Sequence, residues 1–347
     1  RRGQHNVGMG YYADFTSSDS YNNNRATFMG ADLDVNGNDL IAIGYSAETR
    51  DDESISIGAY SDGNGRQSIG IGYLSFLTST ADRAVALGHM TYMSQNNSVA
   101  IGAYDSVTAS HGTALGYDVN VSGDSSVAIG SYATISGKNS IALGANTSVS
   151  SNNSIAIGYQ ATTNAANEVY IGNSSISSIG GAVNWTAVSD GRYKKDVAEN
   201  VPGLDFITKL RPVTYTFDTD KLANKLGQTN LNPEKESTIY SGFIAQEIES
   251  AAKESGYDFS GVKVPTDSND LYGIRYAEMV VPLVKAVQEL NEKVSQMETY
   301  VVSDEKVSKR RRSQGRIAML QNEIELLKEQ NKLLTEIANS QVLMATK

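Results

Sequence analysis

The stretch SVAIGSYATISGKNSIALGANTSVSSNNSIAIG, residues 126–158, repeats one pattern three times: an aliphatic residue, a small residue, an aliphatic residue and a glycine. The repeat length is 14 residues. A fixed period of this kind is the signature of a repeat architecture. The same pattern recurs through the first half of the chain, with one step of 16 residues, and its glycines are Gly44, Gly58, Gly72, Gly88, Gly102, Gly116, Gly130, Gly144, Gly158 and Gly172. Gly10 and Gly30 are predicted to mark two imperfect coils before them.

Each repeat has the spacing of a short β-strand. Its two aliphatic residues, such as Ile41 and Ile43, lie two positions apart and therefore share one face. The glycine permits a turn, and runs of Ser, Asn, Asp and Thr supply the rest of it. Fourteen residues suit a coil of two short strands and two turns, and such coils must stack to bury their apolar edges. We therefore predict a parallel β-roll of about twelve coils, about 55–60 Å long.

The residue between the two aliphatics is small in nearly every repeat. A strand face of tiny side chains is typical of a site where another backbone approaches closely. We interpret this column as an intermolecular contact along the whole rod; a preference for tight coiling within one chain is the alternative. The column consists of Ala42, Ser56, Gly70, Ala86, Ala100, Ala114, Ala128, Ala142 and Ala156, followed by Tyr170.

Residues 40–175 resemble the left-handed parallel β-roll heads of trimeric autotransporter adhesins of the YadA type, in period, motif and small-residue column. The resemblance implies a homotrimer with the rolls packed around a three-fold axis. Those adhesins end in a membrane anchor, which the last residues LLTEIANSQVLMATK do not resemble. That difference favours a phage fibre, and the polar start RRGQHNVGMG favours a fragment of a longer protein.

Composition excludes several classes of function. The chain has 347 residues and a net charge of −10, whereas nucleic-acid binding normally requires a basic face. It has no Cys and only three His, so we expect no disulfide, no metal site and no cofactor. No apolar run approaches the roughly 18 residues of a membrane span, so we expect no membrane insertion.

The second half differs in composition from the first. All five prolines follow the single Trp, Trp185. The segments LDFITKLRPVTYTF (204–217), YSGFIAQEIESAAK (240–253) and YGIRYAEMVVPLVKAVQELNEKV (272–294) follow in order. With SDGRYK (189–194), they resemble the C-terminal intramolecular chaperone of phage tail spikes and fibres, an endosialidase-type family of self-cleaving Ser-Lys peptidases, over about 186–300. We predict a β-roll at 1–180, an α+β chaperone domain at 181–275 and a trimeric coiled coil at 276–347.

The resemblance implies a single-turnover peptidase that cuts its own chain and acts on no external substrate. Ser189 is then the nucleophile, Lys194 the general base and Val188–Ser189 the cleaved bond. A serine hydroxyl needs an adjacent base, and a neutral lysine can serve. Choosing Lys194 over Lys195 rests on the family spacing. From the residues alone, a capped turn with two solvated lysines is the alternative. We expect the dyad to assemble only in the folded trimer.

The C-terminal segment has heptad periodicity, which predicts coiled-coil helices. The basic run 309–312 interrupts the pattern, so two helices, one interrupted helix or a helical hairpin are all compatible with it. The two phases have core positions at Val280, Leu283, Val287, Leu290, Val294, Met297 and Val301, and at Ile317, Leu320, Ile324, Leu327, Asn331 and Leu334.

Tyrosines cluster after the repeat glycines. Tyr45, Tyr73, Tyr117 and Tyr159 follow directly, and Tyr60, Tyr104 and Tyr132 come two positions after a glycine. The first four are predicted to bind a host cell-surface glycan or lipopolysaccharide; covering the flank of the roll is the alternative role. Together these features predict a trimeric phage tail fibre or spike tip on the virion. A fibre on the bacterial cell surface and a polysaccharide-degrading tail spike are the alternatives, and a purely structural solenoid ranks last.

Overall fold

A computed structural model describes residues 6–12, 14–15, 25–229, 233–268, 270–307 and 314–345. The chain divides into two compact units. The first contains Arg1–Ile176 and Thr219–Pro233, and the second contains Ser177–Asp218 and Glu234–Lys347.

The first unit is a solenoid of two parallel sheets, with strands numbered in chain order. The larger sheet contains β1 (Val7–Met9), β3 (Ala26–Met29), β5 (Leu40–Ile43), β7 (Ile55–Ile57), β9 (Ile69–Ile71), β11 (Val85–His89), β13 (Val99–Ala103), β15 (Thr113–Tyr117), β17 (Val127–Ile129), β19 (Ile141–Leu143), β21 (Ile155–Ile157) and β23 (Val169–Ile171). The smaller contains β2 (Asp14–Phe15), β4 (Asp34–Val35), β6 (Glu48–Thr49), β8 (Asp62–Gly63), β10 (Phe76–Leu77), β12 (Tyr92–Met93), β14 (Ser106–Val107), β16 (Asn120–Val121), β18 (Thr134–Ile135), β20 (Ser148–Val149) and β22 (Thr162–Thr163).

Strand pairing follows the repeat period. Val85 pairs with Val99, and Val99 pairs with Thr113, so equivalent residues of successive coils lie side by side. The 16-residue step leaves this register intact, because Ile69 still pairs with Val85. The predicted parallel roll is therefore confirmed.

The small-residue column faces the interior of the roll. Ala86, Ala100 and Ala114 are completely buried within one chain, whereas Ile101 and Leu115 beside them are about two-fifths exposed. The predicted intermolecular contact through the small residues is therefore wrong, and tight coiling within one chain is correct. The smaller sheet fills the interior with larger side chains, such as those of Leu77, Met93 and Val107, so the larger sheet has room there only for small residues and turns its larger aliphatic side chains outward.

The repeat glycines are required by the spacing of the coils. Gly102 has a φ of +149°, and a Cβ atom there would lie 1.9 Å from the carbonyl oxygen of Gly116 in the next coil. Gly88 meets the carbonyl oxygen of Gly102 in the same way. No side chain fits between stacked coils at this position.

The second unit is a small α+β domain followed by two long helices. Its core surrounds Phe206, which is fully buried and packs against Ile248, Met279, Tyr257 and Phe259. Its short elements are α1 (Leu204–Ile207), the antiparallel pair β24 (Val213–Tyr215) and β25 (Tyr240–Gly242), α3 (Ala245–Glu254), the antiparallel pair β26 (Val262–Lys263) and β27 (Gly273–Ile274), and 3-10 helices at Gly191–Tyr193 and Tyr276–Met279.

The long helices α4 (Val280–Val307) and α5 (Gln314–Ala345) pack against each other as a hairpin. An ion pair joins Lys328 of α5 to Glu298 of α4 at 3.0 Å, and α5 also reaches the turn that precedes α4. Of the three arrangements that the heptad pattern allows, the structure has the helical hairpin. In the part of the chain that the structure describes, no helix is long and apolar enough to cross a membrane.

A segment from the second half of the sequence packs onto the roll. It comprises α2 (Thr219–Leu226) and the residues that follow, and it belongs to the first unit, whereas the 3-10 helix Pro233–Ser237 lies almost entirely in the second. The Gln228 side-chain amide donates to the carbonyl oxygen of Gln160 at 3.0 Å. The Gln228 amide oxygen accepts from the backbone N–H of Ser174 at 2.9 Å. One amide thereby satisfies backbone groups of the last two coils.

Candidate functional site

Ser189 and Lys194 are in direct contact. The Lys194 ammonium Nζ donates a hydrogen bond to Ser189 Oγ at 2.8 Å. The two residues flank the 3-10 turn Gly191–Tyr193, which Asp190 caps by accepting the backbone N–H of Arg192 at 2.9 Å. The Lys194 backbone N–H closes the turn on the carbonyl oxygen of Gly191. This local turn brings side chains five positions apart to one place within a single chain.

Lys194 is the basic side chain that contacts Ser189, because the neighbouring Arg192 is paired with Asp190. Arg192 forms a 2.6 Å ion pair with Asp190, and its hydrogen bonds hold the pKa of that carboxyl below its usual range. Among the described contacts of Ser189 there is none with Lys195. The geometry therefore brings together the two residues that the family spacing selects.

The dyad lies in a highly exposed stretch. Ser189 and Lys194 are both exposed, and so are the apolar side chains around them: Trp185, Val188, Tyr193 and Val197 are each at least 78% exposed. A lysine acts as a base only when neutral, and burial is the usual means of disfavouring its charged form. Within a single chain, Ser189 and Lys194 are thus in contact, but the apolar side chains around them remain exposed to solvent.

Seven rings form an unbroken aromatic column on the roll. Each ring contacts the ring of the next coil, with centroids 5.1 to 6.0 Å apart. Every member is solvent-exposed. The column consists of Tyr45, Tyr60, Tyr73, His89, Tyr104, Tyr117 and Tyr132.

The aromatic column brings together three of the four predicted receptor-binding tyrosines, Tyr45, Tyr73 and Tyr117. Tyr159 is equally exposed but has no ring partner among the described residues, because Ala145 and Asn146 occupy the intervening coil. His89 is a member that sequence reasoning missed. The signal was its position, since it follows Gly88 directly, as Tyr73 follows Gly72.

Two family models match the chain. One belongs to a peptidase family described as the chaperone of endosialidase and covers residues 189–257, beginning at Ser189. The other, the YadA head domain repeat, matches residues 41–61, 79–104, 108–133 and 136–166. The chain joins a YadA-type head to an endosialidase-type chaperone. Both resemblances drawn from the sequence are thereby confirmed.

The head is also similar to a solved structure. The crystal structure of the collagen-binding domain of the Yersinia adhesin YadA has 30% sequence identity and a TM-score of 0.32. The similarity covers 45% of this chain and 77% of that chain. A comparison with curated proteins finds no match.

A column of carboxylates lies on the smaller sheet of the head. Asp34, Glu48 and Asp62 occupy paired positions in β4, β6 and β8. Burial, with charge repulsion from Glu48 and Asp34, raises the pKa of Asp62 to about 7, although the nearby charge of Arg50 opposes the rise. Arg50 instead pairs with Glu48 at 2.6 Å and Asp34 at 3.2 Å. Across the described residues, no group of three His, Asp or Glu side chains is arranged to hold a metal ion.

Proposed function

We propose that this chain forms a trimeric adhesive fibre whose C-terminal chaperone is freed by cutting the Val188–Ser189 bond. The observation that carries the proposal is the 2.8 Å contact between Lys194 Nζ and Ser189 Oγ. It occurs at the first residue of the chaperone match, between the head repeats and the chaperone in sequence. A serine–amine pair at that position is the constellation of an activated nucleophile.

The proposed reaction uses only groups of this chain and water. Neutral Lys194 takes the proton of Ser189 Oγ as the oxygen attacks the carbonyl carbon of Val188. The Val188–Ser189 amide bond breaks, its nitrogen takes a proton from Lys194, and an ester joins Val188 to the serine oxygen. Water then hydrolyses the ester, giving a Val188 carboxylate and a Ser189 with free amine and hydroxyl. A water activated directly by Lys194 gives the same products.

An exposed aliphatic face on the larger sheet supports the trimer. Ile71, Ile101, Leu115, Leu143 and Ile157 are each 36–43% exposed, and the equivalent Leu87 and Ile129 of the coils between them are half-buried. A continuous apolar surface of this kind marks an interaction site. Three copies that place this face against one another cover it. We propose that assembly also buries the apolar stretch around Ser189 and so favours the neutral form of the lysine base.

The chaperone is proposed to set the register of the trimer. Because the coils repeat every 14 residues, two rolls could pair one coil out of step, as any uniform repeat can slip. The heptad pattern changes phase between α4 and α5, so these helices, unlike the coils of the head, do not repeat uniformly. Three chaperones can therefore align their chains in one register only. Cutting the chain after assembly removes the template, which leaves a head trimer that is kinetically stable.

The fibre is proposed to belong to a phage tail and to bind a host cell-surface glycan. The tail assignment is supported by the endosialidase-type chaperone, which resembles that of phage tail spikes. The adhesive role is supported by the YadA-type head and by the exposed aromatic column.

Intact-mass measurement with denaturing electrophoresis tests the cleavage. Wild-type protein is expected to give two pieces, residues 1–188 and 189–347. Ser189→Ala and Lys194→Ala are expected to remain single chains, whereas the matched control Lys195→Ala is cut. A Ser189→Ala protein that still separates into these two pieces would refute the dyad.

A further inference from the structure

We infer that the aromatic column is the binding track for a linear, uncharged glycan that lies along the head across its coils. This inference deepens the proposed adhesive function and rests on it. The track includes His89 and ends at Tyr132, so it excludes Tyr159.

Continuity is the first argument for a binding surface. Single exposed aromatic residues are ordinary, but a contiguous patch marks an interaction site. The column crosses six coil steps without a gap, which at about 4.8 Å per step gives a track of about 29 Å. An extended polymer fits a surface of this length better than a compact small molecule does.

The placement of one ring in each coil, despite the conformation of the turn, also supports a binding surface. Tyr60, Tyr104 and Tyr132 have φ between +56° and +61°, a left-handed conformation that bulky side chains rarely adopt. The turn imposes this conformation at the equivalent position of other coils too. In one of them the position holds Asn146, a residue type that tolerates a positive φ. Leu74 and Met90 take the same conformation in the coils whose ring comes one position earlier, from Tyr73 and His89. Every coil from Tyr45 to Tyr132 thus contributes one ring to the column, from one of the two positions after the glycine, and the column stops where Ala145 and Asn146 supply none.

The chemistry of the column selects the ligand class. Tyrosine rings offer an apolar surface for the C–H groups of a sugar, and their hydroxyl groups offer hydrogen bonds. The turns that contribute the rings contain no Lys or Arg: GYS, GAY, GYL, GHM, GAY, GYD and GSY. Residues 1–180 carry 7 Lys and Arg against 15 Asp and Glu. This charge balance disfavours sialylated, sulfated or phosphorylated glycans and nucleic acids, and leaves a neutral glycan as the complementary partner.

A glycan array with the full-length protein tests the inference. The probes are the neutral oligomers maltoheptaose, cellohexaose and chitohexaose with other neutral linear glycans, and the anionic polymers polysialic acid and heparin. We expect binding to at least one neutral glycan and none to the anionic polymers. Titration of that glycan then compares variants: Tyr104→Ala and Tyr117→Ala should each weaken binding about fivefold to tenfold. Tyr159→Ala, equally exposed but outside the column, should leave the affinity unchanged.

Trimer formation and self-cleavage are measured on the same samples. If both persist but no neutral glycan binds, if an anionic polymer binds instead, or if Tyr159→Ala weakens binding as much as Tyr117→Ala does, the inference is overturned while the proposed assembly is retained. If Tyr117→Ala abolishes the trimer, the column lies in a subunit interface and the inference is overturned as well. If the wild-type protein neither trimerises nor cleaves, the proposed function itself fails.

Discussion

The head and the chaperone bury their interiors in opposite ways. The head repeats one narrow interior coil after coil, in which alanines of the larger sheet lie with aliphatic side chains of the smaller sheet such as Leu77 and Val107, and its strand pairs join residues 14, 16 or, at the first coil, 20 positions apart. The chaperone has one core around Phe206 and closes it with distant contacts, such as the Leu204 backbone N–H on the Glu289 carboxylate, 85 positions away. Repetition makes the head extendable but leaves its register between chains ambiguous. The chaperone has a unique core without repeated coils, so it cannot pair with another chain one repeat out of step. It can therefore fix the register that the repeats of the head leave ambiguous.

The largest expected effect is on the unique core. Phe206→Ala should destabilise the chaperone by about 3–5 kcal/mol, because it leaves a cavity that Tyr257 and Phe259 cannot fill. Hydrogen exchange of the α3 amides measures this loss in a Ser189→Ala background. Phe76→Ala is the matched control, measured by hydrogen exchange of the β10 and β12 amides of the head; that ring is 41% exposed and its loss should cost about 1 kcal/mol or less. Equal losses for the two variants would contradict the contrast between the regions.

Substitution of a repeat glycine should damage the head almost as much. Gly102→Ala places a methyl group against the carbonyl oxygen of Gly116 and should cost about 3 kcal/mol. Gly180→Ala is the control, because a Cβ atom there meets nothing within 4 Å. Thermal unfolding of the purified head measures both. If Gly102→Ala unfolds at the wild-type temperature, the stacked coils cannot be as close as described.

The head should gain stability on mild acidification. Asp62 has a folded-state pKa of about 7 because of burial and the charge of Glu48, whereas an unfolded Asp titrates near 3.9. The folded state therefore binds the proton more tightly, and the stabilisation appears as pH falls through about 7 towards about 4. Asp62→Asn should raise the free energy of unfolding at pH 8 by about 2 kcal/mol, after allowance for solvent screening, and change it little at pH 5.

Denaturant titrations at the two pH values measure this effect. The wild-type head, measured at the same two pH values, is the reference for the variant. An Asp62→Asn head with the wild-type pH dependence would show that this carboxylate is not the group responsible.

The smallest expected effect concerns the contact that crosses the proposed cut. Gln228 belongs to the piece 189–347 but satisfies backbone groups of Gln160 and Ser174 in the head. Gln228→Ala should weaken the association of the two pieces after cleavage by about 1 kcal/mol, or roughly fivefold faster release. Size-exclusion chromatography over time measures it, with the exposed Asn224→Ala as the control. Unchanged release would show that this amide does not hold the cut piece.

The 14-residue period predicts the coils and their pairing because a parallel roll places equivalent residues side by side. It does not determine which face is inside, since a period of two tells only which residues share a face. The interior volume of the coil decides that question, and it selects Ala86 and Ala100 over Ile101. The Ser189–Lys194 pair is implied by the family resemblance rather than by the residues alone, and a local turn brings the two side chains together. The contacts of Gln228 join residues 54 and 68 positions apart and leave no local signal.

Native mass spectrometry of the purified wild-type protein reports cleavage and assembly in one spectrum and so tests the proposed self-cleaving trimer. We expect a complex that contains three copies of residues 1–188, with the pieces 189–347 either bound or detached. Single chains of 347 residues, uncut and unassociated under conditions where the head is folded, would contradict it.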